Sequence, residues 1–154
     1  VNLFQRTILY VAFPKNSRWY HVATPTEAIS ARSMVFFRRK EGVSDQVFAA
    51  FFNKELVPSL ANMGVLKELR SKVYNPWNPQ QWDTPNVAHD NPVDVQFQAS
   101  LIIGFENETS LQNFFEHEAL KHLSERLVLF CSAIHAYRVS ETLTFVKDGK
   151  EQIQ

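Results

Sequence analysis

Val93-Asp-Val-Gln-Phe-Gln-Ala-Ser-Leu-Ile-Ile-Gly-Phe105 carries an apolar side chain at every second position. Val93, Val95, Phe97, Ala99, Leu101, Ile103 and Phe105 share one parity, while Asp94, Gln96, Gln98 and Ser100 share the other. Successive side chains of a strand point to opposite faces, so this period predicts a strand with one oily face turned toward helices. Its reverse face then needs shelter elsewhere.

Working outward, Val65 to Tyr74 also alternates, with Val65, Leu69 and Val73 sharing a face with Lys67 and Ser71, and Glu68, Arg70 and Lys72 on the other. Further upstream, Ser33-Met-Val-Phe-Phe-Arg-Arg-Lys40 is a strand-like run ended by Glu41-Gly42, a turn signal. Ser44 suits an N-cap and Asp45 the positive end of a helix dipole. Phe48, Phe51, Phe52, Leu56 and Leu60 follow at helical spacing, with Pro58 and Gly64 marking the end.

Downstream, Thr109-Ser-Leu-Gln112 has the form of a capping box. The stripe Leu111, Phe114, Phe115, Ala119, His122, Leu123, Leu127 and Phe130 predicts a second amphipathic helix. Ala133 to Val146 reads as a closing strand, and Lys147-Asp-Gly149 leads into a polar tail.

The resulting order is strand, helix, strand, strand, helix, strand: an α+β, ferredoxin-like βαββαβ unit with a four-stranded antiparallel sheet. Both helices cover one face. The bare face of such a sheet is normally covered by a second copy or closed around a ligand, which predicts a homodimer. Residues 32–147 form this unit, 148–154 a tail, and 1–31 a β-rich extension or arm. In the extension, Thr7 to Phe13 and Arg18 to Ala23 are strand-like runs separated by a turn at Pro14-Lys-Asn-Ser.

Composition narrows the function classes. The chain has 154 residues, 45% of them hydrophobic and thirteen of them Phe, which suffices for a core and one further buried surface. Lys+Arg and Asp+Glu are equal at 16 each, so no overall field attracts nucleic acid or an anionic membrane. Cys131 is the single cysteine, which excludes an internal disulfide framework and a thiolate metal cluster and makes a cytoplasmic setting the expectation. The early apolar run Ile8 to Phe13 is too short to span a bilayer, and a start at Val1 rather than Met leaves room for an initiator or a longer leader. No phosphate loop, nucleophile elbow or dinucleotide fingerprint occurs.

The stretch Met34-Val-Phe-Phe-Arg-Arg-Lys-Glu-Gly-Val-Ser-Asp-Gln-Val-Phe-Ala-Ala-Phe-Phe52 resembles the opening of EthD-like proteins of the dimeric α+β barrel superfamily. In that family an aromatic-rich helix ends in a His-Ala-Pro-like motif; here the matching residues are Leu56-Val57-Pro58, with the proline kept and the histidine absent. The resemblance implies a homodimer with a small-molecule cavity between sheet and helices or inside the barrel. It also implies cofactor-free chemistry of the cyclase, isomerase or monooxygenase type on a small aromatic or polyketide-like compound. A noncatalytic ligand-binding or stress-associated dimer is the competing class, and haem binding a third.

Candidate site residues come from the strands and from one long connection. Gln96, Gln98 and Ser100 would line a polar cavity or be simply solvated. His135 and Tyr137 lie two apart on one strand, where imidazole can take a proton and phenol can stabilise an oxyanion, or where both can finish a core or interface. Arg38 and Arg70 would meet a carboxylate or enolate, or sit at a solvated edge. The connection from Asn75 to Pro92 far exceeds a usual hairpin loop, so Trp77, Trp82 and His89 are read either as parts of a lid or as anchors of a Pro-stiffened loop. His117 and His122 are five apart and do not align as a metal pair; His122 falls in the apolar stripe, where a core histidine is expected. No cofactor, metal, nucleic acid or membrane is implied, and the expected ligand is a small aromatic molecule.

Overall fold

The structure is a computed structural model and describes residues 14–20, 29–74, 96–140, 146–147 and 150–151. Five strands, β1 (Pro14–Tyr20), β2 (Ala31–Arg39), β3 (Glu68–Tyr74), β4 (Ala99–Phe105) and β5 (Cys131–Val139), form one sheet in the order β1-β3-β4-β2-β5. All neighbours are antiparallel. The four core strands have the ferredoxin-like order expected of a βαββαβ chain, and the fold is α+β.

β1 adds a fifth strand to the free edge of β3, and it corrects the expected turn at Pro14 to Ser17. Those residues pair with Tyr74 to Lys72, with a register shift between Pro14 and Asn16. An open sheet edge offers a row of unpaired backbone groups, and a proline at the first position of an edge strand gives up no ladder bond. The runs Thr7 to Phe13 and Val22 to Ala23 lie outside the described residues.

Ser44 caps the first helix as expected, accepting a hydrogen bond from the Val47 amide at 3.2 Å. The helix runs as α1 (Asp45–Phe51), a π-helical stretch (Phe52–Leu56) and α2 (Val57–Ala61). Pro58 does not fray it. A proline lacks the N–H for an internal bond and crowds the preceding turn, and the wider π-stretch, with Val57 N–H bonded to Phe52 O, accommodates it. Gly64 ends the segment in the left-handed region at φ 74°.

The second helical stripe is broken. Asn107, not Thr109, is the N-cap, its Oδ1 accepting from the Ser110 amide at 2.8 Å. α3 (Glu108–Glu116) stops at His117, whose Nδ1 accepts from the Ala119 amide at 3.1 Å and so starts α4 (Glu118–Phe130). The break resets the helical phase: Leu120, Leu123, Leu127 and Phe130 turn inward, and His122 is exposed rather than in the core. Phe115 is likewise left exposed.

β5 ends at Val139, short of the expected Val146. Val146–Lys147 and Lys150–Glu151 instead pair as a separate ribbon, β6 with β7, joined by Asp148-Gly149, a dipeptide suited to tight hairpins. β3 begins at Glu68, three residues later than its sequence period predicts.

Burial follows strand parity. Ala31, Val35 and Phe37 of β2, Leu69 and Val73 of β3, and Ala99, Leu101, Ile103 and Phe105 of β4 pack under the helices with Phe48, Phe52, Leu56 and Leu60. Each fully buried large side chain contributes about 1.5–3 kcal/mol relative to exposure. Phe51 and Phe130 stack at 4.0 Å, and Phe105 meets Phe114 at 5.2 Å, which fastens each helix of the second pair to this layer.

Candidate functional site

Two concave or chemically dense regions lie on opposite faces of the sheet. On the helical face, α4 has no fully buried residue. Its C-terminal end is held by the Phe51–Phe130 stack and by Arg126, which donates to both carboxylate oxygens of Glu55 at 2.7 and 3.0 Å. That hydrogen bond holds the Glu55 carboxyl below its ordinary pKa. Between the anchored end and α3, the helix stands off the sheet and leaves a cleft of about 350 Å³.

The floor of the cleft is Val35 and Phe37 of β2 with Leu101 and Ile103 of β4; its roof is Leu120, Leu123 and Leu127. Ile134 of β5 closes one side, and Glu116, Lys121 and Ser124 supply its polar groups. The volume lies at the lower end of small-molecule pockets, and such an apolar lining favours an apolar guest by burial alone.

On the reverse face, strand register brings aromatic side chains together. His135 is paired with Phe36, and Tyr137 with Met34. Phe36 and Phe97 lie 5.5 Å apart, Phe97 and His135 5.4 Å, Phe36 and Tyr137 6.0 Å, and the nearly parallel rings of His135 and Tyr137 6.4 Å. These are the distances of offset and edge-to-face aromatic contacts. Arg38 lays its guanidinium 5.0 Å over the Phe97 ring. Tyr137 is 55% exposed and His135 is also exposed, so both are open to a partner or ligand.

Phe97 departs from its expected place. Its parity puts it on the helical face, yet its ring touches Phe36 and His135 on the reverse face, because the regular strand begins only at Ala99. Gln98 marks the change: its backbone N–H bonds Phe37 O at 2.9 Å, its carbonyl accepts from Tyr74 N–H at 2.8 Å, and its side-chain Oε1 accepts from the Arg39 amide. Val93, Asp94 and Val95 lie outside the described residues.

The three polar residues expected around a cavity are buried. Gln98 Oε1 is committed to the Arg39 amide, and Ser100 Oγ shares a 2.7 Å hydrogen bond with the Tyr74 hydroxyl. Gln96 is buried as well. Burial raises the Tyr74 phenol above its ordinary pKa, an effect the Ser100 hydrogen bond opposes. Arg70 is taken up by Glu68, Nη2 to Oε2 at 2.8 Å, and Arg32 Nε meets the other oxygen of Glu68 at 2.8 Å. Gly104 lies against this pair: a Cβ there would come within 2.8 Å of Glu68 Cβ and 2.9 Å of Ile29 Cγ2, which is why the strand has glycine at that point.

His135, Tyr137 and Arg38 are therefore brought together, with Phe36 and Phe97 as members that sequence reading missed. Phe36 was legible, since it has the opposite parity to Val35 and Phe37. The residues Trp77, Trp82 and His89 lie outside the described residues. Cys131 is buried and its thiol is pushed up to about 12 by desolvation, so it stays protonated and a poor nucleophile at neutral pH. Among the described residues there is no cluster of three or more His, Cys, Asp or Glu suited to a metal ion, and no helix long and apolar enough to cross a membrane.

No family model matches the chain, and no curated protein matches it. Solved structures do resemble it. A hypothetical Arabidopsis thaliana protein, solved in solution, is 11% identical over 79% of this chain and 97% of its own, with a TM-score of 0.52. A dimeric protein of unknown function and ferredoxin-like fold from Bacteroides fragilis is 14% identical over 73% of this chain and 98% of its own, with a TM-score of 0.50. A hydroxynitrile lyase from Passiflora edulis is 20% identical over 74% of this chain and 96% of its own, at a TM-score of 0.41, too loose a likeness to bear on activity. At these identities the likeness is one of fold.

Proposed function

We propose that this protein is a homodimeric α+β barrel that binds a small, predominantly apolar molecule in the cleft between its sheet and α4. One observation carries the reading: a cleft of about 350 Å³ bounded by apolar side chains of β2, β4, β5 and α4, in a chain whose helix α4 buries no residue fully. A void of that size under a helix forfeits packing, and an apolar occupant restores it. The likeness of Met34 to Phe52 to EthD-like proteins, and the dimeric state of the Bacteroides fragilis neighbour, support a homodimer.

The test uses N-phenyl-1-naphthylamine, a neutral fluorescent probe. Wild-type protein is expected to bind one probe per chain, and Leu123→Trp, which fills the cleft from its roof, to weaken binding at least tenfold. Unchanged affinity in that variant would place the probe elsewhere and end the cleft reading.

A second reading, cofactor-free proton transfer on a small aromatic or polyketide-like compound, is favoured by the nearly parallel His135 and Tyr137 rings beside Phe36 and Phe97. In it, His135 removes a proton and Tyr137 donates to the developing negative charge. His135→Gln should then lower enzyme-dependent deuterium exchange into the methyl group of acetophenone by about 100-fold or more, with the dimer intact. Equal exchange in both proteins, or none in either, sinks this second reading and leaves the cleft untouched.

A further inference from the structure

The geometry points to a second ligand site on the reverse face of the sheet, where Arg38 and the rings of Phe36, Phe97, His135 and Tyr137 would take a small aromatic carboxylate. This site does not depend on the cleft, which lies on the other side of the same strands.

The charge on this face is the first argument. Strand parity and register place Arg32 and Arg38 of β2 and Arg70 and Lys72 of β3 there, against Glu68 as the one carboxylate among the described residues of β2 to β5 on that side. Four cations therefore face one anion, although the whole chain is balanced at 16 and 16. Glu68 is already engaged on both oxygens, by Arg32 and by Arg70. Nothing of it is left for Arg38.

The second argument is the state of Arg38 itself. Its Nε is shut off from water and has no hydrogen-bond partner among the described residues, while its guanidinium rests on the Phe97 ring. Cation–π contact offsets part of the desolvation but supplies no acceptor for the guanidinium of this half-buried residue, whose outer N–H groups match a carboxylate. The aromatic neighbours provide the complementary half. A ring can pack on the exposed His135 and Tyr137 side chains while its carboxylate reaches the guanidinium, because Phe97 touches both Arg38 and His135.

The probes are benzoate and its neutral analogue benzamide, titrated into the full chain and followed by the aromatic proton–carbon NMR signals of His135 and Tyr137. Wild type is expected to bind benzoate at least tenfold more tightly than benzamide. Arg38→Met should reduce benzoate to the benzamide level, Arg38→Lys should retain a preference for the anion, and Leu123→Trp, with its cleft filled, should bind benzoate as wild type does. A wild-type spectrum of Arg38→Met apart from these signals shows that it folds. Equal binding of the two probes, no binding at all, a preference that survives Arg38→Met, or loss of benzoate in Leu123→Trp would each overturn the assignment.

Discussion

Replacing Phe52 by alanine is expected to lower the stability of this domain by about 3–5 kcal/mol, the largest effect of any single truncation proposed for the chain. Phe52 is 0% exposed. Its ring packs edge-on against Phe37 of β2 at 5.4 Å and stacks with Phe48 of α1 at 6.1 Å, so it joins the helix to the centre of the sheet. It also opens the π-helical stretch, its carbonyl accepting the hydrogen bond from Val57 N–H. Relaxation into the void is limited by the neighbouring rings, which are themselves fixed. Urea unfolding at an unchanged m-value measures the loss; a loss below about 1 kcal/mol would mean that Phe52 does not hold helix to sheet, against the large cost expected of a buried aromatic.

The second large effect concerns Glu68. Its side chain is 7% exposed and both oxygens are engaged, by Arg32 and Arg70. Removing one partner of a buried ion pair costs about 3–5 kcal/mol because the remaining charge loses its compensation. Here the two arginines keep part of their hydration, so Glu68→Ala is expected to cost about 2–3 kcal/mol, less than the fully buried case. Glu68→Gln, which keeps acceptor and shape but not charge, should cost less than Glu68→Ala. The loss should shrink as salt rises, since ions then screen the two unpaired guanidiniums. Wild-type stability in Glu68→Ala would show that the triad contributes no net stabilisation.

These two predictions fall on residues that the sequence presents very differently. Phe52 belongs to a plain helical stripe and is legible as core. Glu68 alternates with Leu69 and reads as a solvated position; its burial comes from Arg32 of β2 and Arg70 of its own strand, gathered on one face beside the glycine at 104. No local pattern announces that arrangement, because β2 and β3 are both neighbours of β4 and meet only across it.

The candidate sites divide in the same way. His135 and Tyr137 are legible as a pair two residues apart on one face of a strand, and Arg38 as a cation able to meet a carboxylate; strand pairing puts all three on the reverse face. Parity assigns Phe97 to the wrong side, because it holds only while the strand is regular, and the backbone departs from strand geometry just before Ala99. The cleft was not legible as such: it arises where a single histidine cap divides one helical stripe into α3 and α4 and lets the second helix stand away from the sheet.

By itself, then, the order of hydrophobic periods determined the α+β class, the identity of the four core strands and two helical segments, and the face of β3 and β4 that is buried, since those properties depend on side-chain direction along one backbone. The tertiary structure decided what depends on the meeting of distant segments. β1 became a strand because β3 had an open edge, the helical phase changed because His117 capped one helix into the next, and the aromatic and arginine cluster formed because β2 lies between β4 and β5. Backbone pairing and packing of this kind outweigh local preference whenever an unpaired edge or an unfilled surface would otherwise be left.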